Sequence, residues 1–318
     1  MSLTIVCWKW NRGLHPKKRM LFGPDHVNTL FSMLRRHVHI PFRLVCITDD
    51  PMGLHPEIGK IPLWRDHLNL GGCFVRLKSF SKEMLSVLGP RHCSIDLDCV
   101  IVNDITPLLT CKEDFRIWGE ETRLTPYCGA FWIANTGCRS QVWEQFQPSK
   151  YCQQENGKFK RGTDQAVISD ILYPDEATWG KTDGIYNYGQ DIRVRPELPA
   201  ARQERTTLIR NKTHEASNAI LQSQYMVKRT LSKTRPPLPE SDANRMYQDA
   251  KRRAVGKVLL KYRKELDKMN QRIKSCEPYK NNDGKLPANA RIVFFNGAED
   301  PNNPILQEEC SWIKEHYQ

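Results

Sequence analysis

No uninterrupted apolar run in these 318 residues approaches the ~20 that a membrane-spanning helix takes, so no helical span is expected. The leading LTIVCW is too short for a signal-peptide core and is followed by charge instead of a cleavage site; it reads as a first buried strand. The 11 cysteines include no C-x-x-C pair, and no Cys/His group has zinc-ligand spacing. Several of them, such as Cys7, Cys46 and Cys99, lie inside apolar runs, where a free thiol packs as a small hydrophobe. That usage points to a reducing, cytoplasmic setting without a disulfide framework, and it makes the sequon at 211–213 accidental. There is no G-x-G-x-x-G and no G-x-x-x-x-G-K-[ST], which argues against a standard dinucleotide or P-loop site. No internal repeat stands out.

What is present is core-forming material and unevenly placed charge. An apolar share of 39%, with 8 Trp, 10 Tyr and 11 Phe, excludes general disorder, and the length suits one large domain or two ordinary ones. The chain carries 48 Lys+Arg against 36 Asp+Glu, a formal +12. Residues 191–290 hold 23 of the cations and 11 of the acids, so the whole excess lies there; the other 218 residues carry 25 of each.

That basic segment has few strand-like runs, a proline-rich stretch at 235–239 and one long helical pattern. The helix is expected to begin at Ser241 or Asp242, either a suitable N-cap, and to end before Pro278. Met246, Ala250, Ala254, Val258, Tyr262, Leu266, Met269 and Ile273 recur every three or four positions as one apolar stripe. Arg252, Arg253, Lys257, Lys261 and Lys264 are among the cations covering the rest. A solvated helix packed on the body explains them; so does a surface for a polyanion, and the partition of charge favours the second.

The first 190 residues alternate strand-like and helix-like runs, the mark of an α/β layer fold. LTIVCW is one strand, residues 26–36 a helix, FRLVCIT a second strand ending at Asp49-Asp50. A helix over 75–88 and a strand CSIDLDCVIV follow. Ligand-binding residues collect beyond the carboxyl ends of strands in such sheets, which directs attention to residues 7–10, 48–50 and 96–98.

Within CSIDLDCVIV, Asp96 and Asp98 sit at i and i+2, on one side of an extended chain flanked by Ile95, Leu97, Val100 and Ile101. Two unpaired buried anions are costly, and a hard divalent cation whose shell is completed by phosphate oxygens offsets that cost. A bare D-x-D is common by chance, and a strand-end acid pair facing water or an arginine is the plainer alternative. Asp164 in GTDQ opens an amphipathic run over 166–172 and also suits an N-cap. ARIVFF forms a late strand before NGAEDPNNP, where Gly297 permits close backbone approach or serves a plain turn.

Taken in order, CWKWN, HVNTLFSMLRRH, PFRLVCITDD, GGCFVRLKSFS, SIDLDCVIV, CGAFWIANTG, GTDQ and VFFNGAEDP resemble the GT-A nucleotide-sugar glycosyltransferases. The likeness is greatest to the glycogenin-like and bacterial lipopolysaccharide enzymes and their phage relatives. The resemblance covers about 1–190 and 287–304. It implies an α/β, Rossmann-like GT-A mixed sheet flanked by helices, with a catalytic core over 1–190, a basic helical insertion over 191–286, and a return to the core over 287–318.

The resemblance also implies roles. Asp96 and Asp98 match the D-x-D that holds Mn²⁺ or Mg²⁺ on the donor diphosphate. Cys7, Trp8, Lys9, Trp10, Asp49 and Asp50 match segments that hold the nucleoside of a nucleotide sugar, UDP-linked by preference. Arg76 and Lys78 match positions near phosphate or ribose, and Asn135 the segment facing the donor sugar. Asp164, followed by Gln165, matches the acid near the reacting sugar, a hydroxyl anchor or general base. Two positions depart: Asn296 stands where the family carries a His metal ligand, with Gly297 next to it, and Asp300 where it carries a diphosphate-binding Lys.

The expected activity is metal-dependent transfer of a sugar to an acceptor hydroxyl. The basic insertion suggests nucleic acid as acceptor, a hydroxymethylated pyrimidine in phage DNA supplying the hydroxyl after base flipping. A saccharide, lipid-linked or protein acceptor, with the basic helix gripping a membrane or partner, is the alternative. A decayed transferase scaffold that binds nucleic acid is a third.

Overall fold

The computed structural model describes residues 3–10, 22–64, 70–119, 125–155, 158–159, 163–193, 197–233, 238–276, 284–295 and 299–318. The chain divides into two compact units, Met1–Arg193 with Gly284–Gln318, and Val194–Asp283.

The first unit begins with β1 (Leu3–Lys9), α1 (Pro24–His37), β2 (Phe42–Thr48) and β3 (Gly59–Pro62). Then come α2 (Leu85–Leu88), β4 (Arg91–Ile95), β5 (Cys99–Ile101), α3 (Thr106–Leu109), β6 (Phe115–Gly119) and β7 (Tyr127–Asn135). Two short helices, α4 (Gln141–Glu144) and α5 (Pro148–Tyr151), precede the small ribbon β8 (Gln154–Glu155) and β9 (Lys158–Phe159). The remainder of this stretch is α6 (Asp164–Leu172), β10 (Ala177–Trp179) and β11 (Ile185–Asn187). The second unit holds α7 (Glu197–Leu231) and α8 (Glu240–Cys276), after which β12 (Ile292–Phe294), α9 (Pro304–Glu309) and α10 (Ser311–His316) rejoin the first.

The main sheet has seven strands in the order β10-β6-β7-β4-β1-β2-β3. The run β4-β1-β2-β3 is parallel, whereas β7 is antiparallel to both β4 and β6. The fold is therefore the mixed α/β class that the alternating sequence implied. Every residue of β1 is buried, as befits a strand covered on both faces. Ile5 and Cys7 join one core with Val27, Leu30 and Leu34 of α1, while Val6 and Trp8 join another with Ile47, Val75 and Leu88. Each fully buried aliphatic side chain contributes roughly 1.5–3 kcal/mol.

Two elements differ from the sequence reading. CSIDLDCVIV is not one strand: it breaks at residues 96–98, β4 staying in the main sheet and β5 entering a second sheet of order β11-β12-β5. Chain separation into two sheets needs a bend, and the two aspartates flank it. The stretch expected as a helix over 75–88 is mostly 3₁₀, Phe74–Phe80 and Lys82–Met84, before the single turn of α2.

The second unit contains two long helices where the periodicity showed one. The helices run antiparallel, with Arg205 Nε donating to Asn270 Oδ1 (2.6 Å) and Lys261 Nζ to both oxygens of Glu215 (2.8 and 3.0 Å). The stripe read on α8 faces this seam: Val258, Tyr262 and Met269 are buried. On α7 the covered face mixes Leu208, Ile220 and the buried Val227 with Lys212, Ala216, Ala219 and Ser223, while Leu221, Tyr225 and Met226 are exposed, so its apolar stripe is broken by small and polar residues. No helix among the described residues is long and apolar enough to cross a membrane.

Candidate active site

Because β1, β2 and β4 are parallel, their carboxyl ends share one edge of the sheet. The antiparallel β7 brings its first residues to the same edge, where Asp96 N–H donates to Ala130 O (2.9 Å). Exposure alternates through the break: Ile95, Leu97 and Cys99 are buried, Asp96 and Asp98 half-buried. Both carboxylates thus project to the side opposite the core. Phe295 N–H donates to Asp98 O (2.7 Å), tying the returning chain to the D-x-D; the next residues, Asn296 and Gly297, lie outside the described residues.

Arg76 stands at the centre of the cluster. It comes from the 3₁₀ turn after Cys73, is buried, and bonds two acids. Its Nε and Nη2 donate to Asp164 Oδ2 (3.0 and 2.5 Å), and its Nη1 donates to Asp96 Oδ1. Burial works against the guanidinium charge, but the Asp164 and Asp96 carboxylates more than offset it and hold the group well above the ordinary arginine value. Asp164 is itself buried; it is not the N-cap of α6, which is Thr163, but the first residue of the helix. Gln165 follows it, half-buried.

Gly129 completes this arrangement and was not singled out in the sequence. A Cβ there would lie 2.8 Å from Asp164 Oδ2 and 3.3 Å from Arg76 Nη2. The only hint was a glycine inside the apolar run CGAFWIA, a mark of close approach in a strand.

At the ends of β1 and β2, Lys9 is buried and its Nζ donates to Asp50 O (2.6 Å), 3.5 Å from Asp50 Oδ2. The Asp50 carboxyl is held below its usual range by the Met52 backbone N–H and the Lys9 charge. Asp49 is exposed beside it. Trp8 lies edge-on to Trp10 and Trp64 (centroids 6.4 and 5.6 Å), and its Nε1 donates to Ser94 Oγ (3.2 Å). Lys78 Nζ sits 5.4 Å over the Trp64 ring. This corner presents flat aromatic surface and cations together.

Two expectations are corrected. The Cys7 side chain belongs to the core, hydrogen-bonded to Cys46 and fully buried, away from the open edge of the sheet. Asn135 is at the opposite end of the sheet: β7 runs against β4, so Asn135 pairs with Arg91, the first residue of β4, whose Nη1 donates to Asn135 Oδ1 (2.7 Å). Asp300, the departure from the family's lysine, has a structural environment of its own. It is buried, accepting from Asn302 N (2.7 Å) and from His26 Nε2 (3.3 Å), the His26 Nδ1 being occupied by Gly23 N–H (3.1 Å).

A divalent cation fits this donor set as a partial one. Asp96 and Asp98 offer hard oxygens from one side of the chain, but Arg76 already holds Asp96. Among the described residues no group of three His, Cys, Asp or Glu side chains is arranged to hold a metal, so substrate oxygens or water would complete the shell.

Among solved structures, the chain is similar to the crystal structure of the glycosyltransferase GlyE of Streptococcus pneumoniae TIGR4, at 12% identity and a TM-score of 0.41. The match covers 63% of this chain and 50% of that one, so it spans half the length of its structural neighbour. No protein-family model matches, and a search of curated proteins finds no match.

Proposed function

We propose that this chain is a metal-dependent glycosyltransferase that moves a sugar from a nucleotide-sugar donor to an acceptor hydroxyl. The observation that carries the reading is the Arg76 bridge, which gathers the D-x-D acid Asp96 and the helix-opening acid Asp164 at the carboxyl edge of a parallel sheet. Asp96 and Asp98 would hold Mn²⁺ or Mg²⁺, which when bound stabilises charge on a departing diphosphate. The chain's own groups then divide the remaining work. Trp10 and Trp64 offer faces to a base, with Lys9 and Lys78 at the same corner for ribose or phosphate. Both Arg76 bonds to Asp164 fall on Oδ2, which leaves Oδ1 as the oxygen for a sugar hydroxyl. That geometry favours an anchoring role for Asp164 over proton abstraction. Arg76, between Asp96 and Asp164, would counter diphosphate charge in place of the lysine that the resembling family carries where this chain has Asp300.

The acceptor we assign is a hydroxymethylated pyrimidine in DNA, on the strength of the basic second unit; saccharide, lipid-linked and protein acceptors are the alternatives. The deciding experiment incubates the protein with Mn²⁺, a panel of nucleotide sugars, and DNA with or without 5-hydroxymethylpyrimidines. Nucleoside diphosphate release and nucleoside mass are both read. A sugar-sized mass gain on the modified base supports donor, acceptor and class together. Donor hydrolysis without transfer to DNA moves the acceptor to carbohydrate or protein. No turnover of any donor overturns the enzyme reading in favour of a nucleic-acid-binding scaffold.

A further inference from the structure

Between residues 250 and 264, α8 carries seven Lys or Arg and no Asp or Glu. These cations are exposed, and one of them, Lys261, is committed to Glu215 across the seam. Two adjacent rows remain on the open surface of the helix. Arg252, Gly256, Leu260 and Lys264 follow one another at intervals of one helical turn, and Arg253 and Lys257 lie beside them. The first row spans about 18 Å.

Gly256 is the unexpected member. Glycine is the poorest helix former after proline, and it sits here in the middle of a long helix. A Cβ at 256 would meet nothing within 4 Å, and the residue has no positive φ, so neither packing nor backbone conformation calls for glycine. What the missing side chain leaves is bare main chain in a notch ringed by Arg252, Arg253 and Lys257, with Leu260, 72% exposed, one turn on. Bare backbone among cations suits an anionic chain that must come close to the helix.

We infer that this notch is a docking face for duplex DNA, a phosphate backbone lying against Gly256 between the Arg252/Arg253 pair and Lys257, with Lys264 on the next phosphates. The inference deepens the assignment of DNA as acceptor and rests on it. Each strand of duplex DNA presents one negative charge per ~3.4 Å, a spacing close to the one cation per about 3 Å of axis along this acid-free run, and counterion release makes each such contact favourable. A membrane surface fits less well. An interfacial helix needs a continuous apolar face, and among the described residues the large exposed apolar side chains of α8 are Leu259 and Leu260.

The test uses the full chain, a short unmodified duplex followed by fluorescence anisotropy over a salt series, and a thermal melt for each variant. Arg253→Gln, Lys257→Gln and Lys264→Gln are expected to weaken binding several-fold each and to lower the salt slope by about 1 per cation removed. Lys261→Gln is expected to change it least. Gly256→Ala is the sharpest variant: alanine favours the helix, so the melt should hold or rise while DNA affinity falls. Binding that Gly256→Ala and the combined Arg253/Lys257/Lys264 variant leave unchanged overturns the proposal. So does a wild-type protein that binds anionic phosphatidylserine vesicles and not the duplex. The assay needs neither donor nor metal, so the two readings fail separately. Docking through this face with no turnover of any donor removes the enzyme reading alone, and transfer to DNA that is insensitive to these variants removes the docking face alone.

Discussion

The Arg76 guanidinium and the Asp164 carboxylate, 88 positions apart in the chain, meet through two nitrogens on one oxygen inside a buried site. Asp164 has a side chain only 5% exposed, so removing that partner would leave a carboxylate in a buried site without its counter-charge. Arg76→Ala is expected to destabilise the fold by about 3–5 kcal/mol, the cost of leaving a buried carboxylate uncompensated. Arg76→Lys should cost less, keeping the charge but losing the fork. Urea unfolding of Arg76→Ala, Asp164→Ala and the double variant checks it: the double should be far less destabilised than the sum. Strict additivity would show that the pair is not coupled.

Gly129 tests whether this pair must keep its position. Adding one methyl at 2.8 Å from Asp164 Oδ2 pushes on a carboxylate that is already held from the other side. Gly129→Ala should cost about 1–3 kcal/mol as overpacking. Under the proposed function it should lower kcat more than it raises KM for donor, because the displaced group acts at the reacting sugar. A wild-type kcat in a folded Gly129→Ala protein would remove Asp164 from the reaction.

The two aspartates of the D-x-D should separate by variant. Asp98→Asn is expected to weaken Mn²⁺ binding by an order of magnitude or more without a large change in melting temperature. Asp96→Asn loses the metal and also one of the partners of Arg76, so it should lower both. Water proton relaxation reads the metal directly, and equal Mn²⁺ affinity in all three proteins would place the cation elsewhere.

The strands were legible where burial leaves no ambiguity: LTIVCW and FRLVCIT are apolar on both faces, and they became β1 and β2. The D-x-D was visible as a pair of acids, but not the bend between them, because apolar residues continue on both sides while the chain changes sheets. Asn135 was misplaced because strand direction is not written in a strand's own residues; only the pairing of β7 against β4 shows which end it occupies. The partner of Arg76 was equally hidden, since nothing local to Phe74–Phe80 names a residue on α6. The helix α7 escaped because Leu221, Tyr225 and Met226 point to solvent while Lys212, Ala216, Ala219 and Ser223 interrupt Leu208, Ile220 and Val227 on its covered face.

His92 supplies a pH dependence that the catalytic reading does not use. It is 1% exposed on β4, with Nδ1 2.8 Å from Thr136 Oγ1. The Thr136 hydroxyl donates to Gly89 O (2.5 Å), so its oxygen must accept from the ring and the proton resides on Nδ1. Nε2 is then an acceptor, and it has no hydrogen-bond partner among the described residues. A second proton there would place a charge in a desolvated site beside Arg91, and these two causes, burial first, lower the pKa from 6.5 to about 3. The sign follows from proton uptake: below 6.5 the unfolded chain binds a proton that the folded chain refuses until about pH 3. Stability from this group is therefore complete above the unfolded value and falls as the solution is acidified, by on the order of 5 kcal/mol in all and by about 2–3 kcal/mol at about pH 4.5. His92→Phe removes the titration at the expense of the Thr136 bond, about 1 kcal/mol at neutral pH. Denaturant unfolding of both proteins at neutral pH and near pH 4.5 should show the wild type losing its advantage, and the order of stability reversing, as the pH falls. A constant difference between them across that range would mean that His92 is protonated in the fold.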